Sequence, residues 1–350
     1  MRDAAPFTAV RCRPMSNHIA VLGAGAWGTA LAKLLAEKGN QVVLWAIEPD
    51  VADSVETAHV NRYLPGFTLP PSLGATTDPE KALHGATMVL LVIPSHATRG
   101  ALRQVGPLLP KGVPLVSATK GIENDSLMLM HEVLRDTLGE ERLGDYTALS
   151  GPSFAKEVAS RHPTAVVIAG KDPHVVERVQ TTFSSDVFRA YSSDDLVGVE
   201  VAGALKNVIA IAAGAADGLG FGFNTRAALI TRGLAEIARV AVAKGASPLT
   251  IAGLAGMGDL VLTCTGDLSR NRTIGFELGR GKRLEDAIRE LGHVAEGVKT
   301  AQSAHDLSHR MGVDMPITEQ VYLALFEDKP ARDAVSELMG RALRPELDAH

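Results

Sequence analysis

Lys206 sits in a run of residues that are almost without side chains. On a helix, its neighbours three and four positions away are Ala202, Gly203, Ile209 and Ala210, with Ala213 and Gly214 further along. A stripe of that kind lets a small molecule come close to the helix. Partial burial there lowers a lysine pKa toward neutrality and makes the amine a usable general acid or base. The same small residues equally suit tight helix packing, with Lys206 reaching out to solvent. Other segments also set polar residues among glycines: Ser117-Ala118-Thr119-Lys120-Gly121, the stretch opening Ser150-Gly151-Pro152-Ser153, and the stretch from Gly258-Asp259 to Ser269-Arg270-Asn271-Arg272. Arginine presents a planar fork suited to phosphate oxygens, so Arg270-Asn271-Arg272 is a candidate anion site. As a bare tripeptide it more often is plain surface charge. No His/Cys/Asp grouping suggests a metal, and none is expected.

A second chemistry is carried by Gly23-Ala24-Gly25-Ala26-Trp27-Gly28. The pattern alone is weak, but here it follows an apolar strand and opens a helix. The first glycine allows a tight turn, the second lets backbone approach a pyrophosphate, and the third lets helix and strand pack closely. The phosphates of NAD or NADP would then face the free N–H groups of the helix N-terminus. The end of the following strand, Trp45-Ala46-Ile47-Glu48, bears on the choice between them. Glu48 can accept hydrogen bonds from adenosine ribose hydroxyls, which favours NAD. It can as well be a plain cap of the next helix.

These groups need elements to position them. Apolar runs at 18–22, 41–45, 87–93, 113–118 and 147–149 read as strands, and 164–169 and 187–190 as late additions. Helical spacing appears between them at 28–38, 79–83, 96–105 and 126–138. Strand and helix alternating this way predict a mostly parallel, doubly wound sheet. Lys120 and Ser153 fall just beyond the carboxyl ends of predicted strands, where such sheets bind ligands. After about Asp194 strand signals vanish, and helical segments follow at 196–216, 225–244, 284–291, 298–311 and 317–326. The expected fold class is therefore an α/β Rossmann-type doubly wound sheet followed by an all-α C-terminal domain. The domain boundaries read as an extension over 1–16, a dinucleotide-binding domain over 17–193 and a helical substrate domain over 194–346.

Composition bounds the partners. The chain has 350 residues, of which 46% are hydrophobic, enough for two cored domains. A formal net charge of −5 gives no electrostatic reason to expect nucleic acid or an anionic membrane as partner. The two cysteines, Cys12 and Cys264, match no zinc pattern or disulfide framework, which suits a reducing compartment. No long uninterrupted apolar stretch stands out as a transmembrane helix, and residues 1–16 lack the apolar core of a secretory signal. The expectation is a cytoplasmic protein. Residues 1–16 read as a disordered extension, or Met15 as the true start.

Taken together, the motifs are far more specific than any one of them. The turn at 23–28, Val92-Ile93-Pro94-Ser95-His96, Ala118-Thr119-Lys120-Gly121, the 150–157 segment, Lys206-Asn207-Val208-Ile209-Ala210, the 256–265 segment and Ser269-Arg270-Asn271-Arg272 occur in the order and spacing of one family. The chain resembles the bacterial NAD(P)-dependent glycerol-3-phosphate dehydrogenases from about residue 17 to about 344. The resemblance implies reversible reduction of dihydroxyacetone phosphate to sn-glycerol 3-phosphate, a phospholipid precursor. It implies Lys206 as proton donor and acceptor, with Lys120 touching cofactor and substrate. Gly151, Ser153, Asp259, Ser269, Arg270 and Asn271 would line the substrate site. Ala26, Trp27, Ala155, Arg270, Val294 and Glu296 would contact the dinucleotide beside Gly23, Gly25 and Gly28. Many relatives carry Arg or His where Ala46-Ile47 stands, which weakens any NADP preference here. Asp259 would orient Lys206 and keep it charged. Two rivals remain at this level: a dehydrogenase of the same architecture acting on a 2-hydroxy acid or sugar acid, and a non-catalytic NAD(H) sensor. The first would not need a phosphate site at Arg270-Asn271. The second has no reason to hold Lys120, Lys206 and Asp259 together. The helical region has apolar surface enough for a homodimer.

Overall fold

The apolar run at the head of the glycine turn forms strand β1 (His18–Leu22), buried along nearly its whole length. The structure is a computed structural model that describes residues 17–292, 295–343 and 345–346. The extension over 1–16 and the expected cofactor residue Val294 lie outside these described residues. Strands β2 (Gln41–Trp45), β3 (Leu73–Thr76), β4 (Met88–Leu91), β5 (Leu115–Ser117), β6 (Tyr146–Ser150), β7 (Thr164–Gly170) and β8 (Phe188–Ser193) join β1 in one sheet. Its order is β3-β2-β1-β4-β5-β6-β7-β8. Strands β1 to β6 pair in parallel, β7 turns back antiparallel to β6, and β8 runs parallel to β7. The order reverses at β1, between β2 and β4, and such a switch point opens a crevice beyond the carboxyl ends of the strands.

Helices α1 (Ala26–Glu37), α2 (Pro49–Ala58), α3 (Pro79–Leu83), α4 (Ser95–Val105), α5 (Met130–Leu138), α6 (Ala155–Ala159) and α7 (Pro173–Phe183) connect the strands. One face of the sheet packs Val21, Leu31, Leu35 and Leu44 into a core. The other packs Leu22, Val89, Leu91, Leu102 and Val133. Two-faced burial is what continuous apolar strands require, and the doubly wound α/β fold class is as the sequence predicts.

Several local features depart from the expected elements, and helices α2, α6 and α7 are additions that the helical spacing does not mark. Strand β3, Leu73-Gly74-Ala75-Thr76, is too short and glycine-interrupted to signal itself; it forms because β2 offers its edge. Helix α5 begins at Met130 rather than near 126. Leu127 takes φ +61°, a left-handed conformation that no right-handed helix accommodates. The Ser126 hydroxyl donates to Glu123 at 2.5 Å and holds that turn.

After β8 the chain is helical: α8 (Leu196–Gly218), α9 (Phe223–Ala243), α10 (Pro248–Ile251), a π-turn (Leu254–Gly258), α11 (Asp259–Thr265), α12 (Arg270–Gly279), α13 (Leu284–Leu291), α14 (Glu296–Met311), α15 (Pro316–Phe326) and α16 (Ala331–Met339). Helix α8 is the axis of this region, with Val208 and Ile209 in a core shared with Ile237, Leu260, Ile274 and Ala304. It is long and apolar enough to cross a membrane, as is the 248–265 stretch. Helix α8 is buried against neighbouring elements, however, and the 248–265 stretch is interrupted at Ala252–Gly253.

Buried carboxylates lock these helices in place. Glu200 on α8 accepts the Tyr146 hydroxyl at 2.5 Å and contacts His131 Nδ1 at 2.7 Å, which ties α8 to β6 and α5. Glu236 on α9 accepts the backbone N–H of Ile317 at 2.6 Å and of Thr318 at 3.1 Å, which caps α15. The small-residue stripe on α8 divides in two. Its far end serves packing: a Cβ on Gly214 would stand 2.0 Å from the Arg272 carbonyl oxygen on α12, and one on Gly275 would stand 2.0 Å from that of Ile211. Its near end faces Lys120 and Ser150, where a Cβ on Gly203 would meet Ser150 Oγ at 2.9 Å.

Candidate active site

Three charged side chains converge where the sheet meets α8. Lys120 follows β5, Lys206 lies midway along α8, and Asp259 opens α11 directly after the π-turn. Lys206 Nζ donates to Asp259 Oδ1 at 2.7 Å and to Thr263 Oγ1 at 2.7 Å. Lys120 Nζ donates to Asp259 Oδ2 at 2.7 Å and to the Gly151 carbonyl at 3.2 Å. Each oxygen of one carboxylate therefore holds one lysine. Asp259 and Lys206 are buried, and a buried ion pair persists only when such partners satisfy it. A π-turn is a common device at functional sites, because the extra residue re-aims a side chain. Here it delivers Asp259.

Burial is the largest influence on Lys206 and lowers its pKa to about 8; Asp259 opposes the shift and Lys120 adds to it. Burial by itself would raise the Asp259 pKa, but the Lys120 and Lys206 ammoniums outweigh it and leave the carboxyl below its ordinary range. An ammonium has three N–H donors. Lys206 spends two on Asp259 and Thr263, which leaves one for an incoming oxygen. Lys206 is thus buried and held, and does not reach to solvent.

The remaining expected substrate residues lie around this centre. Ser153 donates its hydroxyl to the Gly151 carbonyl at 2.8 Å. Ser269 caps α12, its Oγ accepting the Arg272 N–H at 3.3 Å. Asn271 is buried and bridges elements: its Nδ2 donates to Asn207 Oδ1 at 2.9 Å and its Oδ1 accepts the Gly297 N–H at 2.9 Å. The two arginines flanking it differ. Arg272 is held by Asp217 and Asp267, each at 2.9 Å, and so is not free for an anion. Arg270 stands exposed on the first turn of α12, and among the described residues no ion pair engages it. Glu296 opens α14 nearby. Burial raises its pKa, opposed by Arg270, Lys120, Lys206 and the Ser95 backbone N–H.

The glycine turn lies at the carboxyl end of β1. Gly23 has φ +117°, and a Cβ there would stand 2.3 Å from the Val92 carbonyl oxygen. A Cβ on Gly28 would stand 2.0 Å from the Gly23 carbonyl oxygen. Gly25 is the opposite case: nothing lies within 4 Å of the position its Cβ would take. That open face is where a pyrophosphate needs to approach the backbone. Trp27 Nε1, on the same turn, is buried without a hydrogen-bond partner, which is the state of a donor meant for a ligand. Ala155 packs in the same small cluster as Trp27. These features fit a dinucleotide.

The sequence reading missed some neighbours. Thr263 is one turn past Asp259 on α11, and that spacing is the signal for it. At the end of β2, Glu48 occupies the N-cap position of α2, but its side chain makes no cap hydrogen bond. Its Oε1 instead accepts the Tyr63 hydroxyl at 2.8 Å. Folding also brings in a cation that the local stretch lacks: Arg62 pairs with Asp50 and lies 3.9 Å from Glu48.

Comparison with known proteins shows the family and the fold. The family model described as NAD-dependent glycerol-3-phosphate dehydrogenase N-terminus matches residues 18–176, and the one described as its C-terminus matches 195–336. A glycerol-3-phosphate dehydrogenase [NAD(P)+] of Geobacter sulfurreducens is 57% identical over 95% of this chain and 99% of its own. The crystal structure of a glycerol-3-phosphate dehydrogenase from Coxiella burnetii superposes with a TM-score of 0.89 at 42% identity, covering 93% of this chain and 99% of that one. A ketopantoate reductase from Ralstonia eutropha shares the fold alone, with a TM-score of 0.56 at 19% identity over 92% of this chain and 99% of that one.

Proposed function

Because the chain belongs to the NAD-dependent glycerol-3-phosphate dehydrogenase family, we propose that it reduces dihydroxyacetone phosphate to sn-glycerol 3-phosphate, and the reverse, with Lys206 as the proton donor and acceptor. It is an NAD(P)-dependent oxidoreductase. When bound, the nicotinamide cofactor supplies or accepts the hydride. Every other task falls to the chain. In reduction, charge builds on the substrate C2 oxygen and must be met by a proton at that atom. Lys206 has the free N–H and the lowered pKa to give it. Lys120, held from the other side of Asp259, has a donor left for the same substrate.

The substrate phosphate is assigned to Arg270 with Asn271 and Ser269, at the N-terminal turn of α12. A guanidinium and helix N–H groups together favour an anion there. Anchoring the phosphate away from the reacting carbon uses remote binding energy to orient it. We assign the cofactor to Gly23, Gly25, Ala26, Trp27 and Gly28, with Ala155 and Glu296 completing its surroundings. Residues 17–193 act as the dinucleotide-binding unit and 194–346 as the substrate unit. A cytoplasmic location and a homodimer belong to the same proposal, and sedimentation of the purified chain tests the latter.

The observation that carries this reading is the buried Lys206 ammonium held between Asp259 and Thr263 with one donor unspent. Loss of NAD(P)H absorbance with dihydroxyacetone phosphate, measured on wild type and Lys206→Ala, tests it. Absence of turnover in folded wild type removes the substrate assignment. Full activity in Lys206→Ala removes the proton-transfer assignment. A 2-oxo acid in place of the phosphorylated ketone is expected to give no comparable rate.

A further inference from the structure

His305 and His309 stand four residues apart on α14, so their rings share one face of the helix. Helix α15 brings Glu319 onto that face from its first turn. His305 Nε2 lies 3.1 Å and His309 Nε2 3.2 Å from the same oxygen, Glu319 Oε2. One potential ligand atom from each residue falls within 4.8 Å of the others. From Glu296 to His305 is nine residues of helix, about 14 Å of rise, so this group is separate from the catalytic centre.

We propose that His305, His309 and Glu319 form a binding site for one divalent d-block cation of the zinc class. Two imidazole nitrogens and one carboxylate oxygen supply the ligands, and the fourth position is open to water. The ligand chemistry suits such a cation. Imidazole selects zinc, nickel or copper over calcium and magnesium, which take oxygen ligands. With metal–ligand bonds of about 2.0–2.1 Å, neighbouring ligand atoms of a tetrahedron lie about 3.3 Å apart. Both His–Glu separations are close to that edge.

The surroundings are built as a metal's usually are. The other nitrogen of His305, Nδ1, lies 3.0 Å from Asp306 Oδ1, which orients the ring with Nε2 toward Glu319. Tyr322 stacks on the same ring with centroids 3.8 Å apart and planes 10° apart. His309 is exposed, so the open side of the group faces solvent, where a water ligand can enter. Among the described residues, the ion-pair partners of Glu319 are these two imidazoles alone. His309 lies in the last turn of α14, where the helix dipole favours a cation, and Glu319 in the first turn of α15, where it favours the carboxylate. A bound cation would clamp α14 to α15 and stabilise the folded chain through linkage. The sequence carries only the His305–His309 spacing, too little by itself to set aside the expectation of no metal; Glu319 joins it only through folding.

The test is calorimetric titration of ZnCl2 into untagged, chelator-treated full-length protein at neutral pH. The expected result is one Zn2+ per chain with a roughly micromolar Kd. His309→Ala and Glu319→Gln should each weaken binding by about tenfold or more, and Asp306→Asn by less. Co2+ in place of Zn2+ should show the visible absorption of four-coordinate cobalt, and His309→Ala should lose it. His309 touches none of the catalytic groups, so its variant should keep metal-free NADH turnover and an unchanged circular dichroism spectrum. No saturable Zn2+ binding by wild type overturns the proposal. So does equal affinity and stoichiometry in His309→Ala and Glu319→Gln.

Discussion

Lys206 Nζ lies 2.7 Å from Asp259 Oδ1, and this contact joins the middle of a long apolar helix to the first residue after a π-turn. Neither partner is at home there alone. A buried lysine without the carboxylate would shed its proton, and a buried carboxylate without lysines would take one up. With Lys120 on the other carboxylate oxygen, the three groups carry a net single positive charge, ready for an anionic substrate oxygen.

Reduction needs the Lys206 ammonium, and oxidation needs the free amine. With its pKa lowered to about 8, chiefly by burial, the reduction rate should fall as pH rises through about 8, and the oxidation rate should rise through the same region. Initial rates in both directions across neutral to alkaline pH check this. Profiles of the same sign in both directions would contradict it.

Asp259→Asn should shift those profiles. Asp259 raises the Lys206 pKa, so its removal moves both midpoints to lower pH, by about one unit or more if the lost interaction is worth about 1.4 kcal/mol. With the midpoint moved from about 8 to about 7, roughly half of Lys206 stays an ammonium at neutral pH, so the change in protonation alone lowers the reduction rate there by about twofold. An unchanged pH profile would show that Asp259 does not tune Lys206.

The three glycines of the turn should fail differently. Gly25→Ala enters open space, so the protein should fold normally while its KM for the dinucleotide rises. Gly23→Ala and Gly28→Ala drive a methyl group into backbone oxygens at 2.3 Å and 2.0 Å and should lower Tm. Thermal melts alongside cofactor KM values separate the two classes.

Glu236→Ala should unfold the helical region more easily without touching chemistry. It leaves the buried N–H groups of Ile317 and Thr318 unpaired at the start of α15, at a cost of about 1–3 kcal/mol. A lower denaturation midpoint with unchanged substrate KM is the expected pattern.

Cofactor choice should respond to Glu48. Its carboxylate, held by the Tyr63 hydroxyl, repels a 2′-phosphate while Arg62 stands beside it. Glu48→Ala should therefore raise kcat/KM for NADPH relative to NADH, and Arg62→Ala should lower that ratio. Paired measurements with the two cofactors decide it.

Much of this was legible before folding. Apolar strands ending in glycine, helical spacing between them and a strand-free second half follow from local periodicity, which is why the doubly wound sheet and helices such as α8, α9 and α13 sit close to where the pattern puts them. Lys120, Lys206 and Asp259 lie in segments that set polar residues among glycines, and Arg270 beside Asn271 reads as a candidate anion site, while their joint roles come from the family resemblance. What local pattern does not carry is pairing. Strand β3 exists because β2 has a free edge. Helix α5 starts late because one turn around Glu123 and Ser126 takes a left-handed residue. The stripe on α8 serves packing at Gly214 and the site at Gly203, a division that depends on which helix crosses where. Arg270 and Arg272 look alike in sequence, yet Asp217, more than fifty residues earlier, engages only the second. Burial, and with it the lowered pKa of Lys206, arises only when α8, α11 and the sheet close around one carboxylate. The sequence alone determined the element types and the chemical inventory; the tertiary structure decided which charges meet and which stay free, because Coulomb and hydrogen-bond energies act over a few ångströms of space and not over positions in the chain.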